Sequence, residues 1–425
     1  MLEGLRTTAS RVAGDIALRG LLADCRRLLS ERGEANSVAI ARSLIARYDA
    51  LPGAQRDAFF ERLASDFSPD PDAVLDCARA YAVAPNADNL VRLAHVTEAP
   101  RQELLRRINR TPGGTAAIVR MRHALLERLA DRPELRAVEA DLLHLLSSWF
   151  NPGFLALRRV DWNSPAQLLE QIIRHEAVHA IDGWDDLRRR LAPDRRCFGF
   201  FHPQLEGEPL IFVEVALLAE MPDAIAPLID KHSAPEAAER SRVAAFYSIS
   251  NCQPGLKGVS LGNFLIKRVA EELQRELPRL KTFCTLSPLP GFAAWLATRP
   301  DFALVDGLKR GAFERLEAAR ERLGDAPCAQ SPAEPERREA LLALAAAYLV
   351  HCAARADGDP VARFHLDNGA RLERLNVDAD RSKKGLRQAC GLMVNYLYDL
   401  DRIEACHEQF MQGKVAHSRA VAALI

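Results

Sequence analysis

The hydrophobic period of this chain changes near residue 150, and that change limits the fold more than any other feature. Before it, stretches such as SVAIARSLIARYDAL (37–51), QRDAFFERLASDF (55–67) and AAIVRMRHALLERLADR (116–132) place apolar residues three and four positions apart. That spacing lines one face of an α-helix. Breaks rich in Pro, Gly and Asp, SPDPD (68–72) and TPGG (111–114), separate the segments, and no fixed repeat links them. Residues 1–150 are expected to form a helical domain, a bundle rather than a solenoid. After WFNPGF (149–154) the pattern turns to short apolar runs. CFGFFHPQ (197–204) and LIFVEVALL (210–218) read as an antiparallel pair of buried strands, with AAFYSIS (244–250) and KTFCTLS (281–287) as two more. Helices are expected over 165–181, 263–277 and 337–354, and 363–377 reads as mixed strand and loop before a helical C-terminus. Residues 151–425 are thus expected to form an α+β domain on a small mixed sheet.

Composition narrows the class of protein. A chain of 425 residues exceeds one small core, and 48% hydrophobic with 27% charged residues is ordinary for a globular protein. Lys plus Arg and Asp plus Glu both total 57, so no net charge favours nucleic acid, and no such partner is expected. The longest apolar run, LLALAAAYLV (341–350), is too short to span a bilayer, so no membrane partner is expected either. The nine Cys occur without any C-x-x-C pair, which argues against a zinc ribbon or a disulfide scaffold and fits a reducing compartment. The first 29 residues are amphipathic and Arg-bearing, yet they carry Glu3, Asp15 and Asp24 and no secretory core, so an ordinary first helix is expected. The C-terminus AVAALI lacks a peroxisomal S-K-L, and the cytoplasm is the expected location.

Two local patterns bear on chemistry. His175-Glu176-Ala177-Val178-His179 spells H-E-x-x-H, which on a helix sets two imidazoles one turn apart beside a carboxylate, as in zinc proteases. A zinc site needs a third protein ligand, and no His follows before His202, while Glu206, Glu208 and Glu214 lie in turn or strand patterns. The alternative is a helix whose His and Glu make structural hydrogen bonds. The second pattern is YSISNCQPGLKGVSLGNFLIKRV (247–269), a strand, a loop with Gly255, Gly258 and Gly262, and a helix. Glycines let backbone N–H groups converge, and a helix N-terminus adds positive potential, so the loop is a candidate pyrophosphate cradle. It fits neither the P-loop nor the dinucleotide fingerprint. It comes nearer the acyl-CoA loop of the Gcn5-related acetyltransferases, [RQ]-x-x-G-x-[GA], with Lys257 at the basic position, Ser260 replacing the first Gly, and Gly262 at the last. The candidate CoA-binding residues are Lys257, Gly258, Val259, Ser260, Leu261, Gly262 and Asn263; Lys267 and Arg268 offer further positive charge nearby.

Several longer stretches carry a resemblance. FNPGFLALRRVDWNSP (150–165), EAVHAIDGWDDLRRRLAPDRRCFGFFHP (176–203), GEPLIFVEVAL (207–217), FYSISNCQPGLKGVSLGNFLIKRV (246–269), TLSPLPGF (285–292), FHLDNGARLERLNVDAD (364–380) and CGLMVNYLY (390–398) resemble the malonyl-CoA decarboxylase family. The likeness runs from roughly 110 to 400, and the helical first part is less distinctive. The resemblance implies a helical domain followed by an acetyltransferase-like catalytic domain. It also implies a metal-independent reaction with no cofactor beyond the CoA of malonyl-CoA and acetyl-CoA, and a homo-oligomer, a tetramer. The family's motif at 176–179 is E-A-V-H, so His175 completes a zinc signature by accident.

The resemblance further places a reactive pair at Ser287, in TLSPLPGF, and His365, in FHLDNG. Taken alone, Ser287 reads as a turn-capping hydroxyl and His365 as a satisfied core residue. Loss of CO2 from malonyl-CoA leaves an enolate that needs hydrogen-bond donors at the thioester oxygen and an acid to protonate C2. Ser287 is expected to bind the substrate and share its proton with His365, the proton donor, because a His ordinarily titrates near working pH. Rival readings on the same fold are an N-acetyltransferase and a thioesterase, although L-S-P lacks the nucleophile elbow G-x-S-x-G.

Overall fold

The computed structural model describes residues 2–205, 207–259, 261, 265–304, 310–324, 328, 334–355 and 357–425. The chain divides into two compact units. One runs to Leu155 and also takes in His202–Gly207 and Gln253–Leu261; the other comprises Ala156–Phe201, Glu208–Cys252 and the chain from Gly262 on.

The first unit is helical: α1 (Leu2–Ser30), α2 (Glu34–Asp49), α3 (Gly53–Asp66), α4 (Pro71–Val83), α5 (Ala87–Thr97), α6 (Pro100–Asn109), α7 (Gly114–Leu126) and α8 (Arg136–Trp149). The three- and four-residue spacing becomes a buried stripe on each core helix, as with Ile40, Ala41, Leu44 and Tyr48 on α2. The SPDPD break works as a helix start. Asp70 accepts the Asp72 N–H and Pro71 opens α4 with a preset φ, while Asn86 caps α5 through the Asn89 N–H. The hairpin α4–α5 buries no residue, and Leu75, Val83, Leu90 and Val91 stay exposed.

The second unit is built on an eight-stranded mixed sheet: β1 (Ala156–Val160), β2 (Arg195–Phe201), β3 (Pro209–Leu218), β4 (Val243–Asn251), β5 (Thr282–Thr285), β6 (Ser287–Pro288), β7 (Arg371–Asn376) and β8 (Met393–Leu397). The order is β1-β2-β3-β4-β5-β8-β6, with β7 also on β8. Every pairing is antiparallel except β4 with β5, which run parallel from Val243 beside Thr282. The expected α+β class, a helical region followed by a mixed sheet, is what the chain adopts. β2 and β3 are buried almost throughout, which is why they read as continuous apolar runs.

Local expectations need correction in three places. The helix expected over 165–181 ends early, as α9 (Ala166–His175), and α10 (Gly183–Arg190) follows a non-helical segment. The segment read as strand and loop from 363 starts instead inside a helix, Pro360–Asp367, and only Arg371–Asn376 is strand. The C-terminal region taken as helical contains β8, which pairs with β5, β6 and β7. One cysteine pair, Cys328 with Cys390, is disulfide-bonded and the other seven are free, a pairing that no spacing signals. Among the described residues, no helix is long and apolar enough to cross a membrane.

Candidate active site

Ser287 and His365 lie 78 positions apart and meet: Ser287 Oγ is 2.9 Å from His365 Nε2. Each reaches the site for a local reason. β5 runs beside β4 as far as the Leu286 N–H, which donates to the Phe246 carbonyl; Ser287 then pairs with Val394 of β8. Ser287 therefore sits where the chain crosses from one neighbour strand to the other. His365 rides on the helix Pro360–Asp367, whose N-cap Asp359 accepts the Val361 and Ala362 N–H groups at 3.0 Å. The other oxygen of Asp359 accepts the Gly291 N–H at 2.8 Å. One carboxylate thus ties the Pro-rich exit after Ser287 to the helix that carries His365. An Asp directly before a Pro is the start signal that this helix offered in sequence.

The pair is closed off from water, with Ser287 5% and His365 3% exposed. His365 Nδ1 lies 2.9 Å from the Tyr398 hydroxyl, and the Ser287 hydroxyl donates to Thr285 Oγ1 at 2.9 Å. Thr285 Oγ1 also accepts the Tyr396 N–H at 3.2 Å. With the Ser287 proton given to Thr285, the neutral imidazole that completes both contacts donates from Nε2 to Ser287 and accepts the Tyr398 hydroxyl at Nδ1. The Tyr396 ring stacks on His365 with centroids 4.7 Å apart, and its buried hydroxyl has no partner among the described residues. Burial pushes His365 down to about 3, because taking an imidazolium out of water is costly. The expectation of a His titrating near neutral pH therefore does not hold for the free protein, where the ring is neutral. Thr285, Tyr396 and Tyr398 were missed in sequence, since a single hydroxyl carries no pattern until the strands are paired; Asp359 was missed although its Asp-Pro step marks a helix start.

The H-E-x-x-H residues do not share a helical face. α9 stops at His175, and Glu176 is extended. The Glu176 carboxylate accepts the Val178 and His179 N–H groups at 2.9 and 2.8 Å and the Ser248 and Ser250 hydroxyls at 2.6 and 3.2 Å. It stitches the segment to β4, the structural role that the zinc reading competed with. Burial pushes His179 down to about 4. Among the described residues, no three His, Cys, Asp or Glu side chains converge as a metal site.

The glycine loop is placed in part. Lys257 and Gly258 are exposed, Val259 and Leu261 are buried, and Ser260, Gly262 and Asn263 lie outside the described residues. Gly258 has φ +81°, a left-handed conformation that favours glycine. A Cβ on Gly255 would fall 2.0 Å from the Val119 carbonyl oxygen of α7, so that glycine serves close backbone packing. Arg122 of α7, 1% exposed, donates to the Gly255 and Lys257 carbonyls at 2.7 Å each and pairs with Glu139. Of the other basic residues, Lys267 pairs with Glu404 and Arg268 lies over the Phe200 ring.

The chain thus carries a helical unit and a mixed-sheet unit, and the second holds a buried Ser–His contact. Residues 67–150 match the malonyl-CoA decarboxylase N-terminal domain and residues 153–425 match the malonyl-CoA decarboxylase C-terminal domain. A mitochondrial malonyl-CoA decarboxylase from Mus musculus is 37% identical over 410 residues, covering 88% of this chain and 82% of the relative. Crystal structures of malonyl-CoA decarboxylases from Rhodopseudomonas palustris and Agrobacterium vitis superpose with TM-scores of 0.84 and 0.83 at 51% and 48% identity. They cover 96% and 95% of this chain and 99% of each of those chains. The chain belongs to the malonyl-CoA decarboxylase family.

Proposed function

We propose that this chain converts malonyl-CoA to acetyl-CoA and CO2 at Ser287 and His365, without a metal ion. The observation that carries this reading beyond family membership is the buried 2.9 Å contact between Ser287 and an imidazole whose other nitrogen faces Tyr398. The C2–carboxyl bond breaks, CO2 leaves, and the electron pair passes through C2 into the thioester oxygen. A pocket that excludes water strengthens every hydrogen bond to that growing charge. The reaction consumes one proton. A malonyl carboxylate bound beside Ser287 supplies the anion that the free site lacks, and an adjacent opposite charge raises the pKa of a His. The proton thus enters with the substrate, rests on His365, and passes by way of the Ser287 hydroxyl to C2, which returns the imidazole to neutral. In this reading the loop around Lys257 and Gly258 holds the CoA pyrophosphate.

Purified protein given malonyl-CoA in excess EDTA is expected to release CO2 and acetyl-CoA in equal amounts, and His175→Ala is expected to keep turnover and metal content unchanged. Malonate with free CoA and a trapped acyl-serine would point instead to a thioesterase, and acceptor-dependent CoA release to an acetyltransferase. Activity lost with chelation would overturn the metal-free reading.

The same reading includes self-association of the helical unit. Leu75, Val83, Leu90 and Val91 are exposed along the α4–α5 hairpin. Asp72, Asp76 and Arg79 lie among them on α4, with Arg79 paired to Asp76. In this reading a second copy covers these exposed apolar residues. Leu75→Glu with Leu90→Glu is expected to shift the sedimentation coefficient to a smaller species. An unchanged assembly in the folded variant would place the interface elsewhere.

A further inference from the structure

We infer that buried Arg122, fixed by half-buried Glu139, is a positioning element for the acyl-CoA loop, holding the Gly258 N–H unpaired and turned outward to take a phosphate oxygen. This rests on the reading of that loop as the pyrophosphate handle. Arg122 does not touch substrate; it acts through the loop.

The geometry is specific. Arg122 Nη1 donates to the Gly255 carbonyl and Nη2 to the Lys257 carbonyl, both at 2.7 Å, while Nε and Nη2 hold the Glu139 carboxylate at 3.0 and 2.7 Å. A planar fork fixed by a carboxylate on one side leaves the two carbonyls little freedom on the other.

The direction of the Gly258 N–H follows from peptide planarity. The C=O of Lys257 and the N–H of Gly258 belong to one trans peptide and point in opposite directions. With the carbonyl drawn inward to a buried guanidinium, the Gly258 N–H faces away from it. The neighbouring amides are spent inside the turn: Leu256 N–H on Gln253, Lys257 N–H on Pro254 and Val259 N–H on Leu256. The Gly258 N–H has no partner among the described residues, and neither does the exposed ammonium of the preceding residue, Lys257. An unused amide and an unused cation on adjacent residues are groups that an anionic oxygen can take up. The helical unit thus supplies more than a scaffold.

The test compares malonyl-CoA with malonyl-pantetheine, which keeps the reacting thioester and lacks the pyrophosphate. Arg122→Lys keeps the charge and loses the fork. It is expected to raise KM for malonyl-CoA about 10-fold, the equivalent of one charged hydrogen bond, with kcat within about twofold. Its kcat/KM for malonyl-pantetheine should equal that of the unaltered protein. Equal losses on both substrates, or a loss in kcat alone, would reduce Arg122 to a structural role and overturn the inference. If Gly258→Val raises KM and Arg122→Lys does not, the loop reading stands and the positioning role falls. If neither moves KM, both fall. Should Arg122→Lys fail to fold, Arg122→Met with Glu139→Gln leaves no buried charge unpaired, and its ratio between the two substrates decides in the same way.

Discussion

His365→Asn is expected to lower kcat by roughly 10²–10⁴-fold, the usual contribution of a positioned general acid. Asparagine keeps a hydrogen bond toward Ser287 and cannot carry a titrating proton. Ser287→Ala should also lose turnover, because the hydroxyl sits 2.9 Å from the imidazole, where the proposed mechanism has it relay the proton. Residues that act as one unit are not additive, so the double variant should be little worse than the poorer single one. The pH logic gives a second readout. In the free protein burial holds His365 at about 3, so the ring is neutral at pH 7. If the substrate carboxylate raises that value, a non-reactive carboxylate analogue of malonyl-CoA should take up protons on binding near neutral pH. Calorimetry in buffers of different ionisation heat measures this uptake, which His365→Asn should abolish. Full turnover in His365→Asn would refute the proton-donor role and direct attention to another buried acid near Ser287.

Two loop glycines are expected to respond differently to substitution, although both should impair binding. At Gly258 the nearest atom to an added Cβ is 3.9 Å away, so space is available and only the backbone at φ +81° objects. A left-handed residue costs on the order of 1–2 kcal/mol, and relaxing the turn moves the amide proposed to meet phosphate. Gly258→Val should raise KM for malonyl-CoA roughly 10-fold with little loss of melting temperature. At Gly255 the obstacle is steric, since even Ala places a carbon 2.0 Å from the Val119 carbonyl oxygen. Helix α7 or the loop must shift, at about 1–3 kcal/mol or more. Gly255→Ala should therefore lower the melting temperature as well as raise KM. Unchanged KM in both folded variants would move the CoA handle to another part of the chain.

The division into a helical part and a mixed sheet was legible in sequence because periods of 3.6 and 2 are local properties, set by which side chains must leave water together. The strands read at 197–204, 210–218, 244–250 and 281–287 lie where β2 to β5 form, for the same reason. The family stretches also pointed to Ser287 and His365 before any geometry was known. What surrounds them was settled only by the tertiary structure. Glu176 leaves the helical pattern because Ser248 and Ser250, more than 70 positions away, offer its carboxylate better partners than solvent does. No five-residue motif records that competition. β8 was hidden by a helix-like C-terminal composition, and with it Tyr396 and Tyr398, the neighbours that hold the imidazole. The neutral state of His365 likewise depends on the depth of its burial, a property of the packed core alone. Finally, the loop after β4 is gripped by Arg122, 133 positions before Gly255. Such a pairing has no sequence signature, because a guanidinium can bond any carbonyl that folding brings to it.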